Sequence, residues 1–386
     1  MNNFTYHNPV RIEFGRGTIA RLGKLIARDR KVVLIYGKGS IKSNNVYQQV
    51  TRALEKHAVT EFSGVESNPE YETCLRAVAE IKKCKGDFLL AVGGGSVLDA
   101  TKFIAAAAHF TGAQPWDLME HKARIGSAMQ LGCVITVPAT GSEMNSSFVI
   151  SRRSTGQKLP LSSTRVYPQF SILDPETTFT LSEAQLSNGI VDAMVHVLEQ
   201  YVSKESKAAL QDRQAEAVLL TLIERASAIL ANPPDYDARA DFMWCSTNAL
   251  NGLISCGVSE DWSTHMIGHE LTALHGMDHG RTLAVVLPAL WKHQIKVKTP
   301  RLAHYAKRVW GLDGEGRSEE ELARMAIEKT EAFFERIGVA TRLSRYNITA
   351  GQCQSIADRI DMLGFKLGEY GAIGGPEVKA ILKLAE

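Results

Sequence analysis

Apolar runs alternate with helix-period segments through the first half of the chain. Val32-Val33-Leu34-Ile35-Tyr36 is a β-branched run that ends in Gly37-Lys38-Gly39-Ser40, and a helical stretch follows to about His57. A second helical pattern runs from about Pro69 to Cys84. Phe88-Leu89-Leu90-Ala91-Val92 then leads into Gly93-Gly94-Gly95-Ser96 and a helix to His109. Cys133-Val134-Ile135-Thr136-Val137 ends in a loop carrying Thr140, Gly141 and Ser142. Continuous apolar strands separated by helices predict a parallel sheet covered on both faces. The start, with residues 4–6 and 10–14, reads as an added hairpin.

The pattern changes after Leu173-Asp174-Pro175. From about Ser182 onward helix follows helix with almost no strand signal. Ser182, followed by Ala184, Gln185 and Leu186, reads as an N-cap. Residues 208–230 are strongly helical, and Asn232-Pro233-Pro234 stops them. There is no internal repeat or low-complexity tract. A chain of 386 residues is too long for one ordinary core. The expected architecture is an α/β domain over residues 1–181, with a Rossmann-like parallel sheet, and an all-helical domain over residues 182–386.

Composition narrows the class. With 44 Lys and Arg against 42 Asp and Glu, the charge is too even for a nucleic-acid binder. Short basic runs such as Lys82-Lys83 and Arg152-Arg153 read as solvated surface. None of the six cysteines forms a CxxC pair, which argues against a disulfide framework or a thiolate zinc site and for reduced thiols in a cytosol. The N-terminus lacks the features of a secretory signal. The most apolar window, residues 88–110, is interrupted by three glycines, Asp99 and Lys102, so it does not read as a membrane span. The expectation is a soluble cytoplasmic protein with no nucleic-acid or membrane partner.

The order strand, glycine turn, helix start occurs twice. Such a helix start offers open backbone N–H groups to a phosphate, and glycines let the phosphate come close. The stronger instance is Gly93-Gly94-Gly95-Ser96; its plain alternative is a tight turn, with Ser96 and Asp99 at capping-box spacing. At the first strand end, NAD enzymes often place an acid for the ribose 2′-hydroxyl. Here Gly37, Lys38, Gly39 and Ser40 suit a 2′-phosphate, so NADP(H) is expected, unless Lys38 is simply a surface lysine.

The second half carries the histidines. His265, His269, His275 and His279 fall within fifteen residues, and Asp192 and His196 lie four apart upstream. At that spacing Asp192 and His196 project from one helix face and can grip one cation, or form an ordinary polar pair. His265 and His269 also share a face. His265 and His279 would be roughly 21 Å apart on one straight helix, so they meet at a metal only if the chain breaks, most plausibly at Gly276 or Gly280. Spacing alone slightly favours His265 with His269 and leaves His279 open.

These motifs resemble the iron-containing, group III alcohol dehydrogenases. The likeness rests on Gly93-Gly94-Gly95-Ser96-Val97-Leu98-Asp99, Pro138-Ala139-Thr140-Gly141-Ser142-Glu143, Asp192 with His196, and the stretch from His265 to His279. Within the family the chain is most similar to the YqhD-type NADPH-dependent aldehyde reductases of the butanol dehydrogenase branch, through Asn188-Gly189-Ile190-Val191-Asp192-Ala193 and Asp261-Trp262-Ser263-Thr264-His265-Met266. The resemblance implies Asp192, His196, His265 and His279 as ligands of one Zn²⁺ or Fe²⁺ ion, and His269 as a proton relay beside them. It assigns no role to His275. It implies that residues 93–96 hold the pyrophosphate, and that Asp99, Thr136, Thr140, Ser142, Asn145 and Lys158 line the path of NADP(H). Gly37 stands where NAD-dependent members carry an acid. A homodimer is implied as well.

The expected activity is reversible, metal-assisted reduction of an aldehyde to a primary alcohol, in a cleft between the domains. Competing readings are a polyol or glycerol-type dehydrogenase, a dehydroquinate-synthase-like lyase, a metal-dependent hydrolase if no nicotinamide binds, and a non-catalytic metal-storage or structural protein.

Overall fold

A computed structural model of the chain describes every residue except Leu363. The chain divides into two compact units. One comprises residues 7–181 with residues 233–247, and the other comprises residues 1–6, 182–232 and 248–386.

The first unit is built on a six-stranded, all-parallel sheet in the order β1-β8-β5-β4-β2-β3. The strands are β1 (Arg11–Phe14), β2 (Lys31–Tyr36), β3 (Ala58–Phe62), β4 (Phe88–Gly94), β5 (Gln130–Val137) and β8 (Phe170–Leu173). The apolar runs singled out above are the central strands. Successive side chains of a strand point to opposite faces. Thus Phe88, Leu90 and Val92 join one core with Val32, Leu34 and Ile172, while Leu89 and Ala91 join the other with Val33, Ile35 and Cys133. Burial on both faces is what removes any polar alternation from these segments.

Four local features differ from the expectation. The N-terminal hairpin does not form: β1 is a parallel edge strand against β8, and residues 1–6 belong to the helical unit, where the Asn2 N–H donates to the Gly257 carbonyl. The helical stretch before His57 is two short helices, Ser40–Ser43 and Val46–Ala53, split at Asn45, whose φ is 65°. Beyond it lies β3, whose residues are exposed or half-buried because it is an edge strand, so it leaves little apolar signal. An antiparallel hairpin of β6 (Ser147–Arg152) and β7 (Gln157–Ser162) is marked only by the short apolar run Phe148-Val149-Ile150.

The second unit is helical. Helix Glu183–Tyr201 opens with the expected cap: Ser182 Oγ accepts from the Gln185 N–H, and Gln185 Oε1 accepts from the Ser182 N–H, a full capping box. Nearly all its length beyond Leu186 is buried. Helix Ser263–His275 ends at Gly276, which is left-handed with φ 68° and donates its N–H to the Thr272 carbonyl. Helix His279–His293 starts three residues later. The required break therefore exists, and it returns His279 to the level of His265. Gly280 allows the approach: a Cβ there would lie 2.5 Å from the Asn188 carbonyl oxygen on helix Glu183–Tyr201. Among the described residues no helix is long and apolar enough to cross a membrane.

Candidate metal centre and cofactor loops

Asp192 lies in mid-helix, buried, and three imidazoles surround one of its oxygens. His196 Nδ1 is 3.6 Å, His265 Nε2 3.8 Å and His279 Nε2 3.4 Å from Asp192 Oδ1. His196 comes from the next turn of the same helix, and His265 and His279 come from the two helices joined at Gly276. The donors of Asp192, His265 and His279 all lie within 4.8 Å of one another. His196 touches this group through Asp192 and stacks on His265, with ring centroids 4.5 Å apart.

These separations have a physical meaning. The His196 and His265 contacts are too long for hydrogen bonds, and Asp192 Oδ1, His196 Nδ1 and His265 Nε2 are buried with no hydrogen-bond partner. Buried polar atoms without partners are costly. Donors about 2.1 Å from a tetrahedral cation stand roughly 3.4 Å apart. The donor set therefore fits a divalent cation by spacing and by chemistry. Burial alone would raise the Asp192 carboxyl, yet His196, His279 and His265 bring it well below the usual carboxylate range. Burial holds the His196 imidazole down to about 4, so it is neutral and able to donate a lone pair.

One residue here went unnoticed in the sequence. Glu199 is buried, and its Oε2 accepts from His265 Nδ1. It stands three residues beyond His196 and seven beyond Asp192, on the same helix face, and that spacing is the signal that could have found it. Burial would lower the His265 pKa, but Glu199 and Asp192 raise it to about 9. His269 is buried one turn on, its ring 6.4 Å from that of His265 and 5.4 Å from that of His279. It borders the donor group. His275 ends its helix, half-buried, with Nε2 4.0 Å from Cys353 Sγ.

The glycine loops belong to the other unit, at the C-terminal ends of adjacent strands β2 and β4, where open α/β sheets bind ligands. Helix Gly95–Ala108 begins directly after Gly94, and no side chain caps it. The proposed capping pair does not form: Ser96 Oγ donates to the Ser67 carbonyl, and Asp99 faces away. Asp99 Oδ1 accepts from Ser142 Oγ at 2.7 Å and Oδ2 from the Val149 N–H at 3.0 Å. A Cβ on Gly95 would meet Thr140 Oγ1 at 2.3 Å, so the threonine packs directly on that glycine. Asn145 Nδ2 donates to the Gly141 carbonyl. Lys158 is buried and donates to Asn68 Oδ1 at 3.0 Å, and Thr136 is buried in β5. At the end of β2, Lys38 and Ser40 are exposed and Gly39 has φ 115°.

The structure thus gathers Asp99, Thr140, Ser142 and Asn145 beside the Gly93-Gly94-Gly95-Ser96 turn. It does so around a residue that the sequence shows only as an interruption of the most apolar window. Lys102, fully buried, directs Nζ at the carbonyls of Ser142, Asn145 and Ser147 and at Asn145 Oδ1, all within 3.1 Å. A lysine directly before the apolar run Phe103-Ile104-Ala105-Ala106-Ala107 is the available clue.

Comparison with known proteins agrees on both units. The iron-containing alcohol dehydrogenase family model matches residues 9–175, and the C-terminal model of the Fe-containing alcohol dehydrogenase family matches residues 187–385. The chain is 50% identical over 372 residues to the NADPH-dependent aldehyde reductase YqhD of Escherichia coli (strain K12), covering 96% of each chain. It is 40% identical to the probable NADH-dependent butanol dehydrogenase 1 of Bacillus subtilis (strain 168), covering 99% of each. Among solved structures it superposes on E. coli K-12 YqhD with a TM-score of 0.97 at 48% identity, covering 100% of this chain and 99% of that one. For the NADH-dependent butanol dehydrogenase A of Thermotoga maritima the TM-score is 0.95 at 38% identity, with 100% and 99% covered.

Proposed function

Because the chain belongs to the iron-containing alcohol dehydrogenase family, we propose that it reduces small aldehydes to primary alcohols with NADPH and a divalent metal ion, and runs in reverse as an alcohol dehydrogenase. The observation that carries this reading is the convergence of three imidazole nitrogens on Asp192 Oδ1 at 3.4–3.8 Å. Asp192, His196, His265 and His279 hold the ion. When bound, a Zn²⁺ or Fe²⁺ ion supplies Lewis acidity at a carbonyl oxygen, and NADPH supplies the hydride for its carbon. One carboxylate and three imidazoles leave a position open, as a catalytic site needs.

The chain's residues then divide the remaining work. Asp192 provides the buried negative charge, and His269 passes a proton to the substrate oxygen. The uncapped N–H groups at Gly95 and Ser96 receive the pyrophosphate, with Gly93 and Gly94 leaving room for it. Thr136, Thr140, Ser142, Asn145 and Lys158 line the adenine, ribose and nicotinamide path, and Asp99 acts from beneath through Ser142. Gly37, Lys38, Gly39 and Ser40 receive the 2′-phosphate. All six cysteines are free, which supports a cytoplasmic setting, and family membership supports a homodimer.

Elemental analysis of purified protein, paired with NADPH turnover on short and long aldehydes, tests the function. Close to one Zn or Fe per chain is expected, together with turnover. A hydrolase or a metal-storage protein would leave NADPH fluorescence unchanged, and that result would end the proposal. His269→Ala should lower kcat by about 10²–10⁴-fold, the usual worth of a positioned proton donor, at near-normal metal content. Loss of metal in this variant would make His269 a ligand instead.

Cofactor choice rests on Gly37, since the relatives include both NADPH and NADH enzymes. A Cβ at Gly37 would contact the Val65 carbonyl oxygen at 3.4 Å, so a side chain fits with little movement. Gly37→Asp should shift the NADPH-to-NADH ratio of kcat/KM toward NADH by about 10²-fold, because like charges in contact cost several kcal/mol. An unchanged ratio would remove the 2′-phosphate from this loop.

A further inference from the structure

Helix Ser263–His275 starts in an unusual way. Its N-cap position is Trp262, in the left-handed region at φ 63° and without a side-chain cap. A bulky residue rarely adopts this conformation, and tryptophan has no acceptor to offer the free N–H groups of the first turn. Those groups turn instead to Glu199 on helix Glu183–Tyr201. Its Oε1 accepts from the Thr264 N–H at 2.6 Å, and its Oε2 lies 3.4 Å from the His265 N. The same Oε2 takes the Nδ1–H of His265.

We propose that Glu199 is the positioning residue of the metal centre, closing the N-terminus of helix Ser263–His275 and fixing the tautomer and aim of the His265 imidazole with one carboxylate. With Nδ1 donating to Glu199, the Nε2 lone pair is left on the far side of the ring, where Asp192 Oδ1 stands 3.8 Å away. The turn before the helix is locked to the same residue. The Asp261 N–H donates to the Glu199 carbonyl at 2.9 Å, and Asp261 Oδ1 accepts from the Ser263 N–H at 3.1 Å. Lys298 Nζ holds Asp261 Oδ2 at 2.7 Å. The strained Trp262 backbone is thereby fixed on both sides, and its ring packs edge-on to His265 with centroids 5.3 Å apart. Asp192, His196 and Glu199 lie on one face of one helix, so ligand and orienting group move as a rigid unit. A carboxylate behind a ligating imidazole raises its basicity and fixes its direction.

The inference rests on the metal reading above, and Zn²⁺ alone serves as the probe. Zn²⁺ affinity is measured by chelator competition on the full chain, and the metal-free melting temperature is read separately. In Glu199→Gln, and in Glu199→Ala as a second variant, the Zn²⁺ dissociation constant should rise 10–100-fold. Saturating Zn²⁺ should restore most of the aldehyde turnover in Glu199→Gln. A residue that only capped the helix would lower the metal-free melting temperature and leave Zn²⁺ affinity within threefold of the parent, and that outcome overturns the proposal. His279→Ala is the control. If it keeps parental Zn²⁺ affinity, the ligand assignment fails. If it loses Zn²⁺ while Glu199→Gln does not, only the role of Glu199 fails. A parent chain that takes up no Zn²⁺ overturns both.

Discussion

Asp192→Asn is expected to remove the metal and lower aldehyde reduction by about 10³-fold or more while leaving the fold intact. Asparagine keeps the volume of the side chain, so the packing of helix Glu183–Tyr201 is preserved. What it removes is the anion at the point where three imidazoles converge. Three neutral nitrogens and an amide oxygen bind a hard divalent ion far less well than three nitrogens and a carboxylate. A Lewis acid contributes several kcal/mol to stabilising the transition state of carbonyl reduction, and each 1.36 kcal/mol is tenfold in rate. The cofactor loops lie in the other unit and do not use Asp192, so NADPH binding should survive. The measurements are metal content, circular dichroism, NADPH fluorescence titration and turnover. Stoichiometric metal with parental turnover in Asp192→Asn would refute the assignment. Parallel loss of NADPH binding would point to a folding defect instead.

Much of this was legible in the chain itself, for identifiable reasons. The central strands announce themselves because burial on both faces demands unbroken apolar runs, as in β2, β4 and β5. The edge strand β3 does not, since its residues are exposed or half-buried. Two residues fourteen apart cannot share an ion on a straight helix, so once the resemblance implied His279 as a ligand a break near Gly276 or Gly280 was required. His279 could not be chosen over His269 by spacing, because the choice depends on where the chain goes after the break. Tertiary placement brings His279 to within 3.4 Å of Asp192 Oδ1, through the close approach that Gly280 permits. Glu199 and Lys102 were hidden for a related reason. The local signals, a helix-face spacing for Glu199 and an interrupted apolar run for Lys102, mark the residues but do not name the distant backbone groups on which each acts.

Lys102→Met carries the other large expectation, a loss of about 3 kcal/mol in stability, the upper end of the cost of leaving buried polar groups without their donor. Methionine matches the length of the side chain but donates nothing. The carbonyls of Ser142, Asn145 and Ser147 would lose their shared donor, and buried Asp99 would lose the cation that most offsets its burial. A fall of roughly 10 °C in melting temperature should follow, at several degrees per kcal/mol for a unit of this size. Exposed Lys24→Met should stay within about 0.5 kcal/mol. Equal midpoints for the two variants would show that Lys102 does not hold the loop. The pH dependence sharpens the test. Burial depresses the Lys102 pKa to about 8, although Asp99 opposes the shift, against about 10.4 in an unfolded chain. Between those values the unfolded chain binds more protons, so the parent gains stability from this group as pH rises, and below about pH 8 its burial penalty is fully present. The deficit of Lys102→Met relative to the parent should therefore widen from pH 8 toward 10, and a deficit that narrows over that range would contradict the lowered Lys102 pKa.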